Sequence, residues 1–90
     1  MGFTWDEAKR QRVLADRALD FLRVATVMFD GRPMMTLPVV RNNEDRHVSI
    51  AKIDDKHFAV VWTWRERQIR IITARRARNA EERQYRLLFP

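Results

Sequence analysis

Apolar residues recur every three or four positions up to about Phe29 and every second position beyond Pro33, so a helical first third gives way to a strand-rich remainder. Phe3-Thr4-Trp5 reads as a short strand. Thr4-x-x-Glu7 has the form of a capping box for a helix from about Asp6 to Ala15, with Ala8, Gln11, Arg12 and Ala15 at helical spacing. Asp20 opens a second helix that runs to about Phe29. Its Phe21, Leu22, Ala25, Met28 and Phe29 fall on one face, as core packing requires. Asp30-Gly31-Arg32-Pro33 is a turn.

Met34 to Val40 is the first strand of the second part, and Pro33 and Pro38 toward its ends place it at a sheet edge. A polar loop over Arg41–Asp45 leads to a strand from His47 to Ile53, and Asp54-Asp55-Lys56 makes a tight turn. In the strand His57–Trp64, the side chains of Phe58, Val60, Trp62 and Trp64 share a face. Arg65–Arg67 turns the chain again. Strict alternation over Gln68–Arg76 sets Ile69, Ile71, Thr73 and Arg75 against Arg70, Ile72, Ala74 and Arg76. A last helix spans about Asn79 to Leu88, with Asn79-x-x-Glu82 as its capping box. The order β-α-α-β-β-β-β-α defines an α+β class: a four-stranded antiparallel meander preceded by a short strand and two helices, with a C-terminal helix. The helices are expected on one face of the sheet.

Length limits this to one domain over residues 1–90, with a small core. Lack of cysteine removes disulfides, thiolate nucleophiles and Cys-based zinc sites, and it suits a reducing compartment. No apolar run reaches the roughly 20 residues that a membrane crossing needs. The opening MGFTWDEAKRQR turns charged at once, which predicts a soluble cytoplasmic protein with no membrane partner.

Charge changes the picture. Residues 1–64 hold ten Lys/Arg against nine Asp/Glu, whereas residues 65–90 hold eight Arg against three Glu. Arginine presents a planar fork of donors that matches phosphate oxygens, so this cluster points to an anionic partner such as RNA. No P-loop, Gly-rich dinucleotide turn or H-E-x-x-H is present, and no metal or other cofactor is expected. His47 and His57 start neighbouring strands and are read as exposed strand-end residues, with a two-histidine acid/base pair as the alternative. Glu81 and Tyr85 stand at helical spacing, so both lie on one face of the last helix. Arg70, Arg75 and Arg76 with Glu81 and Tyr85 have the composition of a site for RNA cleavage by 2′-hydroxyl attack, arginines meeting the charge on phosphorus. A second reading of the same residues is an Arg75–Glu81 surface ion pair beside a helix-packing Tyr85.

Trp5-Asp6-Glu7-Ala8-Lys9, Glu44-Asp45-Arg46, Val60-Val61-Trp62-Thr63, Ile69-Arg70-Ile71-Ile72-Thr73-Ala74-Arg75-Arg76-Ala77 and the pair Glu81, Tyr85 together resemble the BrnT family of toxin–antitoxin ribonucleases across nearly the whole chain. That resemblance implies a RelE-like fold and a metal-independent ribonuclease that inhibits translation. It also implies a BrnA-like ribbon-helix-helix antitoxin, through which operator DNA is bound indirectly. The site residues it implies are Lys9, Arg46, Arg70, Arg75, Arg76, Glu81 and Tyr85; of these Arg46, Arg75, Arg76, Glu81 and Tyr85 are the expected catalytic residues, and Lys9 and Arg70, together with Arg67 of the basic segment, the expected RNA-binding ones. The sequence departs from the family where Val13-Leu14-Ala15-Asp16-Arg17-Ala18 replaces a Lys-His-Gly, and where Arg78 replaces a threonine helix cap, which moves the expected cap to Asn79. The alternatives are a non-catalytic relative acting in antitoxin binding and operon repression, or a plain nucleic-acid-binding domain.

Overall fold

The computed structural model describes residues 2–90. The chain runs β1 (Phe3–Trp5), α1 (Glu7–Arg17), α2 (Phe21–Met28), β2 (Met35–Arg41), β3 (Glu44–Ile53), β4 (Lys56–Arg65), β5 (Gln68–Arg76) and α3 (Asn79–Leu88). The α+β class, the element order and the meander agree with the sequence reading. The strands form one sheet in the order β1-β5-β4-β3-β2, so the proline-containing β2 does lie at an edge. β1 closes the other edge by pairing parallel to β5, Phe3 beside Ile69 and Trp5 beside Ile71.

The helices pack on both faces, contrary to the single face expected. One core joins Val13 of α1 and Phe21, Val24, Ala25 and Met28 of α2 to Ala51, Val60, Trp62, Ile69, Ile71 and Ala74 of the sheet. The second lies beneath α3, where Tyr85 meets Met35, Val48, Ile50 and Ala59. Strand alternation explains the split: Val60 and Trp62 point one way, Ala59 the other. Phe21, Met28, Ile50 and Ile71 are fully buried or nearly so, each worth about 1.5–3 kcal/mol of transfer free energy.

Two caps differ from expectation. Thr4 belongs to β1, and Asp6 is the cap of α1, its carboxylate accepting from the Lys9 amide at 3.2 Å. At α3 the cap position stays at Arg78, not Asn79. An arginine side chain has no acceptor, so only the reciprocal half of the box forms: the Arg78 amide donates to Glu81 Oε1 at 2.8 Å. At α2, by contrast, Asp20 is the cap as expected. It also receives Arg10 through two bonds of 2.9 and 2.8 Å, tying α1 to α2.

The expected loop over Arg41–Asp45 is a two-residue turn. Asn42-Asn43, Asp54-Asp55 and Glu66-Arg67 all take positive φ, between 52° and 65°, which suits the twist of a hairpin. Asn and Asp tolerate that conformation, whereas Glu66 and Arg67 are strained there. Glu66→Asn with Arg67→Gly is therefore expected to stabilise the fold by about 1 kcal/mol, or about 4–8 °C in melting temperature. Thermal unfolding followed by circular dichroism tests this, and a melting point at or below the parent's would show that no strain resides in this turn.

Candidate nucleic-acid interface

The pairing of β4 with β5 slips by one residue. Val61 pairs with Thr73 and Trp62 with Ile71, leaving Ile72 without a partner as a β-bulge. Strict alternation therefore fails beyond Ile71. Ala74 rejoins Ile69 and Ile71 in the core under α1 and α2. Arg75 moves to the face that carries Arg70. Arg76 turns to the α1/α2 side, where its guanidinium sits 5.5 Å from the Phe58 ring centre. Alternation along β5 alone places Arg75 and Arg76 the other way round, and the bulge reverses them.

On the face shared by Arg70 and Arg75, a trough of about 550 Å³ opens between the sheet, α1 and the start of α3. Six basic residues line it: Lys9 and Arg17 from α1, Arg41 at the end of β2, Arg46 from β3, Arg75 from β5, and Arg78. Glu81 is its one carboxylate. A smaller pocket, sharing Lys9, Arg46 and Ile72, extends it toward Arg65 and Arg70. Apart from Lys9 and Arg17, which share α1, each cation arrives from a different part of the chain, which is why no local motif announces the group.

The trough is braced from below. Arg75 donates to both oxygens of Glu81, Nη1 at 2.7 Å and Nη2 at 3.0 Å. Both side chains are largely buried, at 19% and 15% exposure, so this is not the surface ion pair of the second sequence reading. Arg75 above all, then the Arg78 amide and the nearby positive charge, holds the Glu81 carboxyl below its ordinary value against the opposing effect of burial. Arg46 is held by Glu44 through its Nε at 3.2 Å. Past the bulge β1 no longer covers the edge of β5, and Arg17 takes that place, donating to the Ala74 carbonyl at 2.7 Å and to Thr73 Oγ1 at 3.2 Å. Burial, followed by repulsion from Arg46, Arg12 and Arg17, depresses the Lys9 pKa. A lysine so placed gives up its proton more readily than a free one.

Of the residues singled out from sequence, Lys9, Arg46, Arg70, Arg75 and Glu81 come together here. Three do not. Arg67 sits in the β4–β5 turn. Arg76 lies across the sheet over Phe58. Tyr85 is buried under α3, its hydroxyl donating to the Pro33 carbonyl at 3.3 Å, which is the helix-packing alternative. The histidines separate as well. His57 is buried against Tyr85 with Nδ1 3.2 Å from Glu82, whereas His47 stacks on Trp62 on the opposite face, so neither is an exposed strand end facing the other. Arg41 and Arg78 join the trough although nothing in their spacing marked them. Arg17 stood in the sequence only as a departure from a family pattern.

The family model described as "Ribonuclease toxin, BrnT, of type II toxin-antitoxin system" matches residues 5–81. The chain belongs to the BrnT family. The matched span contains every residue of the trough, from Lys9 to Glu81, and stops short of Tyr85. No curated protein matches the chain. BrnT proteins are ribonuclease toxins of type II systems, so an RNA substrate and an antitoxin partner follow from membership. Among the described residues no helix is long and apolar enough to cross a membrane, and no three His, Cys, Asp or Glu side chains gather as a metal site.

In this BrnT chain Glu81 links stability to pH. Its folded-state pKa is depressed, so its contribution is fully present above the ordinary glutamate value of 4.5 and is lost as pH falls through the lower folded value. Chemical denaturation at stepped pH is expected to show part of the acid-side loss of stability disappear in Glu81→Gln. An unchanged acid-side slope would mean that the Arg75–Glu81 pair does not couple to folding.

Proposed function

We propose that the trough cleaves single-stranded RNA by attack of a ribose 2′-hydroxyl on the adjacent phosphorus, without a metal ion. The observation that carries this reading is the gathering of five arginines and one carboxylate around a lysine of depressed pKa. Such a lining attracts a phosphodiester and repels a divalent cation. In the proposed step Lys9 accepts the 2′-hydroxyl proton, O2′ bonds to phosphorus, and the P–O5′ bond breaks. The products are a 2′,3′-cyclic phosphate and a 5′-hydroxyl, whose oxygen takes its proton from water in the open trough. Arg46 and Arg75 stabilise the extra charge on the phosphorane oxygens, and Glu81 orients Arg75. Arg17, Arg41, Arg70 and Arg78 hold the flanking backbone. Arg76, Tyr85 and Arg67 stand outside this chemistry.

The proposed partner is a BrnA-like ribbon-helix-helix antitoxin that silences the toxin in the cytoplasm by laying acidic residues over the trough, and that carries the pair to operator DNA. A non-catalytic relative that keeps the antitoxin is the competing reading, favoured by the absence of both histidines and of Tyr85 from the trough.

Induced expression of the chain alone is expected to arrest growth. Arg46→Ala with Arg75→Ala should lower the cleavage rate at least about 100-fold. Lys9→Met should abolish the rise of cleavage rate with pH that a general base produces as it loses its proton, while leaving RNA affinity within a few-fold. Binding should weaken by about 0.7 logarithmic units per phosphate contact for each tenfold rise in salt. RNA binding with no cleavage product, together with normal growth, would establish the non-catalytic reading instead.

A further inference from the structure

A second basic surface lies on the other side of the sheet, outside the trough. Between α2 and the β3–β4 turn a cleft of about 460 Å³ is floored by Val24, Val27, Ile53 and Phe58. Arg23 and Lys56 rise at its rim, both exposed. Arg76 continues that rim through an adjoining pocket that shares Lys56 and Phe58 and reaches Arg17, where the two basic surfaces meet at the end of α1. None of the three has a carboxylate partner among the described residues. The acids nearby offset them little: Asp20 is already held by Arg10, and only Asp54 remains.

We infer that this cleft is an anchoring site for an acidic amphipathic helix of a protein partner, which inserts an apolar side chain while its carboxylates meet Arg23, Lys56 and Arg76. Charge complementarity selects an anionic occupant. The floor then selects protein over RNA. It is mainly aliphatic, and its one aromatic ring, Phe58, already carries Arg76 on its face, leaving no open ring for a base to stack on. Membership of a type II toxin family supplies a protein partner, the antitoxin, so the inference rests on the antitoxin pairing. It adds that the antitoxin holds the toxin on a face remote from Arg46 and Glu81. Anchoring and occlusion of the trough then become separate contacts, and the antitoxin can grip a toxin whose trough is occupied. Arg76 finds its place here as an anchoring residue, which accounts for its turning away from the trough.

The test compares binding of the antitoxin from the same operon with binding of a fluorescent single-stranded RNA oligonucleotide. Arg23→Glu with Lys56→Glu changes exposed side chains and is expected to keep the parent's circular dichroism and melting temperature. It should raise the antitoxin dissociation constant at least about tenfold and leave RNA affinity unchanged. Val27→Thr, nearly isosteric, should weaken the antitoxin several-fold by making the floor polar. Arg46→Ala with Arg75→Ala should weaken RNA binding and leave antitoxin held at the cleft. Equal antitoxin affinity in the parent and the Arg23/Lys56 variant would overturn the anchoring site while leaving the pairing intact. Loss of RNA affinity in that variant, with antitoxin affinity unchanged, would assign the rim to the RNA path. Absence of any complex with the unaltered chain would remove the pairing itself, and the anchoring site with it.

Discussion

One unpaired residue in β5 decides what this protein presents to an anion. With Ile72 bulged out, the four residues that follow are displaced by one in the pleat. Ala74 then fills the core, and consecutive arginines leave the strand on opposite sides. Without the bulge, Arg75 would have to enter the apolar layer under α2, where an unpaired guanidinium is costly to desolvate. Arg17 adapts to the same irregularity, supplying a donor to the Ala74 carbonyl where β1 has ended.

The carboxylate of Glu81 connects this strand to the rest. It accepts both forks of Arg75 and the amide of Arg78, so the first turn of α3 and the trough wall are held by one group. The far side of α3 is pinned by Tyr85 and by the His57–Glu82 contact. Residues that resemble reactive groups by type are therefore spent on holding the helix, and the helix is spent on placing Glu81. Gathering six cations in one trough costs electrostatic energy in the free protein. An anionic partner, RNA or acidic protein, relieves that repulsion.

The two basic surfaces differ in what surrounds their charge. The trough is polar, with the half-buried Arg75–Glu81 pair at its base, and suits a phosphodiester backbone. The cleft beside α2 has a mainly aliphatic floor, and of the cations around it Arg23 and Lys56 are unpaired while Arg32 is held by Asp30. Arg75 and Arg76, adjacent in the chain, contribute one to each.

Much of this was legible in the chain itself. A change of apolar period near Pro33 revealed two helices followed by a meander, because the 3.6- and 2-residue repeats are imposed by backbone geometry on any amphipathic segment. Proline marked the edge strand, clustered arginine with helical spacing marked Arg70, Arg75 and Glu81, and only the resemblance to BrnT added Lys9 and Arg46. Strand phase beyond Ile71 was hidden, since a bulge arises from pairing with β4 and leaves no trace in the alternation of β5 alone. The face chosen by α3, and with it the burial of Tyr85 and His57, depended on which side of the sheet α1 and α2 had left uncovered. Arg41 and Arg78 became trough residues only through contacts between elements distant in sequence. Local pattern determines which residues can share a face of their own element; packing between elements determines which of those faces meet.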